Sequence, residues 1–226
     1  MKQKKTISIP EAVKAIEKYG ILLVYPINNK KLPKSLWSVF YPDEEMHWKW
    51  DESGDDRVGQ LWRLKSVLGV SRKVIYAKWY KGRATFFSKE IFTALVALVG
   101  SPLLAETRLS KEANQILEVL EMDSPQSTKQ IKLATELRGK TFERIYERAM
   151  RELWGQFLIV GFGEVEDGAF PSLAVGATKT LFEDVVESAK KMSEADALET
   201  IQRILGDRAK LFEEFSKRRN DSTRSK

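Results

Sequence analysis

Three short stretches of this sequence combine residue types that could do chemistry. The first is HWKWDESGDD, residues 47 to 56. Its Trp48 and Trp50 could stack on an unpaired flat ring, while Asp51, Glu52, Asp55 or Asp56 could orient a water molecule or act as a general base. A plainer role fits the same residues: alternate tryptophans packed inward and an acidic run capping a helix that starts near Arg57. Helix caps and core tryptophans are far commoner than catalytic carboxylates, so the plainer role is preferred. No catalytic residue is assigned, and Asp51, Asp55 and Asp56 stand as the candidates. His47, the single histidine, fits a polar partner better than a catalyst.

The second stretch is KWYKGR. Lys78, Lys81 and Arg83 fall within six residues on a turn that must be exposed, and Trp79 and Tyr80 offer flat surfaces for sugar or base contact. A basic hairpin tip is equally an ordinary soluble turn. The third stretch runs TFERIYERAMRELW. At about 100° per residue, Phe142, Ile145, Ala149 and Leu153 share an arc of roughly 80°, widened by Tyr146 and Met150. Lys140, Arg144, Arg148 and Arg151 lie opposite. Glu143, Glu147 and Glu152 flank that stripe, and pairing such as Glu147 with Arg151 at i to i+4 dilutes its field. The face can serve phosphate contact, or it can be a solvated surface laced with ion pairs.

Composition removes several other chemistries. With no cysteine and one histidine, the chain has no disulfide framework, thiol nucleophile, cysteine zinc site or multi-histidine metal site, and neither a metal nor a cofactor is expected. No apolar run reaches the roughly 18 residues that span a bilayer, and the first residues carry no apolar leader core. A cytoplasmic protein without membrane contact is the expectation. The net charge is +6, with 18 basic against 10 acidic residues over 1–100, 9 against 12 over 101–177 and 11 against 10 over 178–226. The basic excess in the first segment permits a polyanionic partner.

The elements that must position these stretches follow from periodicity. Residues 10–19 read as a helix opened by Pro10 and closed by Gly20, ILLVYPI as a buried strand stopped by Pro26, and SLWSVFY as a short helix. DRVGQLWRLKSVLG places Val58, Leu61, Trp62, Lys65 and Leu68 at helical spacing. RKVIYAKWY and ATFFS form a hairpin around Lys81-Gly82-Arg83, and KEIFTALVALVG is a largely buried helix. Gly100-Ser101-Pro102 marks a boundary with a short linker. Beyond it come a helix capped by Ser110, a helix with Ile131, Ala134 and Leu137 turned inward, the helix from 140, and a second hairpin with an acidic tip at Glu166-Asp167-Gly168. That tip suits phosphate poorly. Helices follow from Thr178, and the final NDSTRSK is expected to be disordered.

The stretches LWSVFYP, WKWDESGDDRVGQLWRLK and YAKWYKGRATFFSKEIFTAL, with STKQIKLATELRGKTFERIYERAMRELWGQFLIVGFG, resemble the AlkZ/YcaQ winged-helix family over more than half the chain. The resemblance implies tandem winged helices and a DNA-repair setting; the family includes DNA glycosylases that unhook interstrand crosslinks. Those enzymes position water with a Gln-x-Gln pair. Here no two glutamines, Gln60, Gln115, Gln126, Gln130, Gln156 and Gln202 among them, stand at that spacing, so no catalytic residue carries over.

The resulting expectation is an α+β fold, mainly helical, with tandem winged-helix modules over 1–100 and 107–177, C-terminal helices over 178–219 and a tail at 220–226. The function expected is double-stranded DNA binding through phosphate contacts from Lys78, Lys81, Arg83, Lys140, Arg144, Arg148 and Arg151. A divergent glycosylase using the acidic aromatic segment, and a protein-interaction module, stand as alternatives.

Overall fold

A computed structural model describes residues 7–48, 56–99, 109–166, 171–206 and 211. Ser8 and Glu11 form a reciprocal capping box that opens α1 (Ile9–Tyr19), with Pro10 in its first turn. Gly20, at φ 68°, ends it, and a Cβ there would stand 2.2 Å from Ile204 Cγ2. The chain then runs through β1 (Ile21–Leu23), α2 (Leu36–Phe40), α3 (Asp56–Val70), β2 (Val74–Lys78), a 3-10 turn at Tyr80–Gly82, β3 (Ala84–Ser88) and α4 (Lys89–Val99). The later elements are α5 (Lys111–Met122), β4 (Gln126–Ser127), α6 (Thr128–Ala134), α7 (Lys140–Gly155), β5 (Ile159–Val165) and β6 (Ser172–Ala177). Three helices follow: α8 (Thr178–Leu181), α9 (Glu183–Lys191) and α10 (Glu194–Leu205).

The fold is α+β and mainly helical. Its six described strands form one antiparallel sheet in the order β1-β3-β2-β5-β6-β4. The order helix, strand, helix, helix, hairpin therefore occurs twice, and each time the first strand pairs with the third. The two triplets join edge to edge between β2 and β5, at Tyr76 opposite Gly161. Only glycine fits there, because a Cβ on residue 161 would lie 2.1 Å from Tyr76 Cδ1.

The same seam is closed by α3. A Cβ on Gly69 would stand 2.9 Å from the Gly163 amide nitrogen, so the end of the helix rides directly on the β5 backbone. One turn earlier, Lys65 Nζ meets Glu164 Oε1 at 2.8 Å, both side chains being largely buried, and also lies 3.7 Å from the centre of the Trp62 ring. Burial first, and then the Glu164 charge, pushes the Tyr25 and Tyr76 phenols well above the usual tyrosine range. Behind the sheet, one continuous core runs from Ile21, Trp79 and Phe87 in the first half to Leu153, Phe157 and Val185 in the second. The C-terminal helices pack on α4, where Lys89 pairs with Asp184 at 2.7 Å and Arg203 with Glu90.

Several local expectations change in this setting. The strand expected over ILLVYPI is three residues long. Trp62, although at helical spacing with the core residues of α3, is 46% exposed, its ring lying over the largely buried Lys65 ammonium. Trp48 is likewise half-exposed rather than packed inward, and touches Tyr25 edge-on with ring centres 4.9 Å apart. Ala134 is exposed at the end of α6. TKTLFEDVVESAKKM is broken at Phe182, whose non-helical backbone caps α8 and opens α9. Trp50, Asp51, Glu52 and Asp55, the Gly100-Ser101-Pro102 boundary, Asp167-Gly168, and the tail beyond 206 apart from Leu211 lie outside the described residues.

Candidate functional site

The first hairpin turns through Lys81 and Gly82 with positive φ, 50° and 68°, so the tip is a left-handed turn that Gly82 adopts without strain. Lys78, Lys81 and Arg83 are exposed. Although the Lys78 side chain reaches solvent, crowding by the surrounding protein first, and then the Lys65 charge, holds its ammonium below the ordinary lysine value. The two aromatic residues go the other way. Trp79 is completely buried, stacked on Phe157 with ring centres 5.7 Å apart and edge-on to Phe87, and Tyr80 is 4% exposed. Neither is a free flat surface for sugar or base: the strand ends at Lys78, and the next two residues turn under the sheet into the shared core.

Helix α7 buries a face rotated from the one the wheel suggests. Tyr146, Ala149, Met150, Leu153 and Trp154 are buried, Ile145 is intermediate, and Phe142 is 41% exposed. Lys140, Arg144, Arg148 and Arg151 all lie on the exposed side. The carboxylates beside them are partly engaged elsewhere. Glu143 accepts from Lys132 Nζ at 2.7 Å, and Glu152 accepts from the Ser110 amide at 3.1 Å and its hydroxyl at 2.7 Å. Arg151 donates to the backbone carbonyl of Glu147 at 3.3 Å rather than forming the expected carboxylate pair.

Hairpin and helix meet across a cavity of about 370 Å³ that opens to the surface. Lys78 and Gly82 line it from the hairpin, Tyr146, Glu147, Met150, Arg151 and Trp154 from α7, Leu173 and Val175 from β6, and Thr128 from α6. Thr128 also lines a second, more open hollow of about 600 Å³ with Lys129, Lys132, Arg138, Gly139, Lys140, Glu143 and Ser172. Lys81, Arg83, Arg144 and Arg148 line neither. The sequence reading missed Lys129, Lys132 and Arg138, although the three-residue spacing of Lys129 and Lys132 on α6 and the RGK run ahead of α7 were available signals.

A family model described as AlkZ related matches residues 7–214. The chain belongs to the AlkZ-related family. No curated protein and no solved structure matches it. In this AlkZ-related chain, the one described member of the acidic candidates behaves as a helix-terminal residue: Asp56 begins α3, accepts from Gln60 Nε2 at 2.9 Å and lies 3.6 Å from Arg63. Among the described residues no group of three or more His, Asp or Glu is placed to hold a metal ion, and no helix is long and apolar enough to cross a membrane.

Proposed function

We propose that this AlkZ-related chain is a tandem winged-helix protein that binds double-stranded DNA mainly through phosphate contacts, in a DNA-repair setting. The two winged helices are the two copies of the helix, strand, helix, helix, hairpin order, with β2-β3 and β5-β6 as wings. The observation that carries the reading is that Lys78 of the first wing and Arg151 of α7, remote in sequence, line one cavity, and that Thr128 of this cavity also lines a hollow with Lys129, Lys132, Arg138, Lys140 and Glu143. Basic side chains from both halves thereby surround these two openings and outnumber Glu143 and Glu147, as contact with a duplex backbone requires. Gly139 precedes α7 without a side-chain cap; the Phe142 amide donates to the Gly139 carbonyl at 3.1 Å, which leaves the amides of Lys140 and Thr141 for a phosphate. The two third helices differ in availability: α3 is closed against β5, whereas α7 keeps its basic side open.

The test is duplex affinity by fluorescence anisotropy across a salt series. Wild-type protein should show a steep salt slope, and Lys81→Ala with Arg83→Ala should lower it by about two, at roughly 0.9 released counterion per lost contact. Weaker binding with an unchanged slope would remove the hairpin from the interface. Salt-independent or undetectable binding would defeat the DNA reading and favour a protein partner.

A further inference from the structure

We propose that the cavity between the first hairpin and α7 receives an unpaired nucleobase, with Lys78 and Arg151 holding the adjoining phosphate. The inference rests on the DNA-binding reading and adds what is read: one unstacked base, beyond the backbone itself. Its walls are apolar and aromatic, with Met150 and Trp154 from α7 facing Leu173 and Val175 from β6. At about 370 Å³ the space falls within the range of small-ligand sites, and it combines apolar walls with the polar groups of Lys78, Thr128, Tyr146, Glu147 and Arg151.

Those polar groups have a definite arrangement. Tyr146 is 4% exposed and lines the cavity, and its buried hydroxyl makes no well-formed hydrogen bond. Burial pushes this phenol up to about 12, a rise that the nearby Thr128 hydroxyl only partly offsets and the Glu143 charge reinforces. At neutral pH it is therefore a neutral donor seeking an acceptor. A base carbonyl or ring nitrogen supplies one, and the flat ring suits the Trp154 and Met150 walls. Lys78 and Arg151, with Glu147 as the one carboxylate among the lining residues, leave a net positive charge that matches the anion a nucleotide brings with its ring. A paired, stacked base cannot enter such a space, so occupancy requires the base to leave the stack, which costs least where it is already unpaired.

The experiment uses the full chain and three probes: an intact duplex, the same duplex carrying 2-aminopurine opposite an abasic analogue, and free deoxyadenosine monophosphate. The unpaired duplex should bind about tenfold more tightly than the intact one, in the range of a single base-stacking contact, with a change in 2-aminopurine fluorescence. Tyr146→Phe removes only the hydroxyl and should cut that preference severalfold, leaving intact-duplex affinity and salt slope as they were. Met150→Trp, which fills the cavity, should abolish the preference; Tyr146→Phe keeps the test decisive if Met150→Trp does not fold. Equal, salt-dependent affinity for both duplexes overturns the cavity assignment and leaves the DNA reading intact. Nucleotide binding that Tyr146→Phe weakens, without preference between duplexes, overturns it in favour of a free-nucleotide site. Absence of binding to either duplex defeats both readings.

Discussion

Replacing Glu164 with Gln tests the seam between the two halves. Lys65 and Glu164 meet at 2.8 Å with side chains 9% and 12% exposed. Removing one charge from a buried pair typically costs about 3–5 kcal/mol, because the other is left without compensation. Here Lys65 keeps its contact with the Trp62 ring at 3.7 Å, and glutamine can still accept its hydrogen bond, which places the expected loss near the lower end, about 3 kcal/mol. For a chain of this size that corresponds to a fall of roughly 6–12 °C in Tm. Thermal and urea unfolding of the two proteins, side by side, measure it. The double variant Lys65→Met with Glu164→Leu removes both charges and should recover most of the loss, since a packed apolar pair of similar volume is often as stable as a buried ion pair. A loss below about 1 kcal/mol for Glu164→Gln, or a double variant no more stable than the single one, would refute the claim that a desolvated pair holds α3 on β5.

Other substitutions probe the surface and the backbone contacts. Arg144→Ala and Arg148→Ala should weaken duplex binding while leaving Tm nearly unchanged, because both residues are exposed on α7; a large drop in Tm with normal affinity of the folded protein would make them structural instead. Gly69→Ala should cost about 1–3 kcal/mol, since its Cβ would stand 2.9 Å from the Gly163 amide nitrogen and the obstacle is backbone, not a movable side chain. Unfolding by urea checks this, and a neutral result would mean that α3 is not seated so closely on β5.

Wherever neighbours in sequence decide, the elements were legible. Pro10 and Gly20 bracket α1, and the Lys81-Gly82-Arg83 turn between two β-branched, aromatic runs defines the first hairpin. The basic side of α7 was readable too, because Lys140, Arg144, Arg148 and Arg151 recur at near-helical spacing. The wheel was less successful with its apolar side, because spacing gives only relative angles. Which arc is buried depends on what the helix packs against, and α7 turns Tyr146, Met150 and Trp154 toward the cavity while its first turn leaves Phe142 outside.

Sequence by itself determined where most of the helices and the first hairpin lie and that Lys81, Arg83, Lys140, Arg144, Arg148 and Arg151 carry exposed positive charge, since these follow from backbone preference and from the cost of burying an unpaired ion. Tertiary structure alone decided that Trp79 is a core residue stacked on Phe157, that Lys65 is paired with Glu164 across the seam, and that Lys78 and Arg151 share one cavity. Each of those outcomes depends on the edge-to-edge joining of β2 to β5 at Tyr76 and Gly161. That joining is a contact between remote segments, and it is set by the absence of a side chain at residue 161 fitting the ring of Tyr76, a complementarity that no local pattern of residues records.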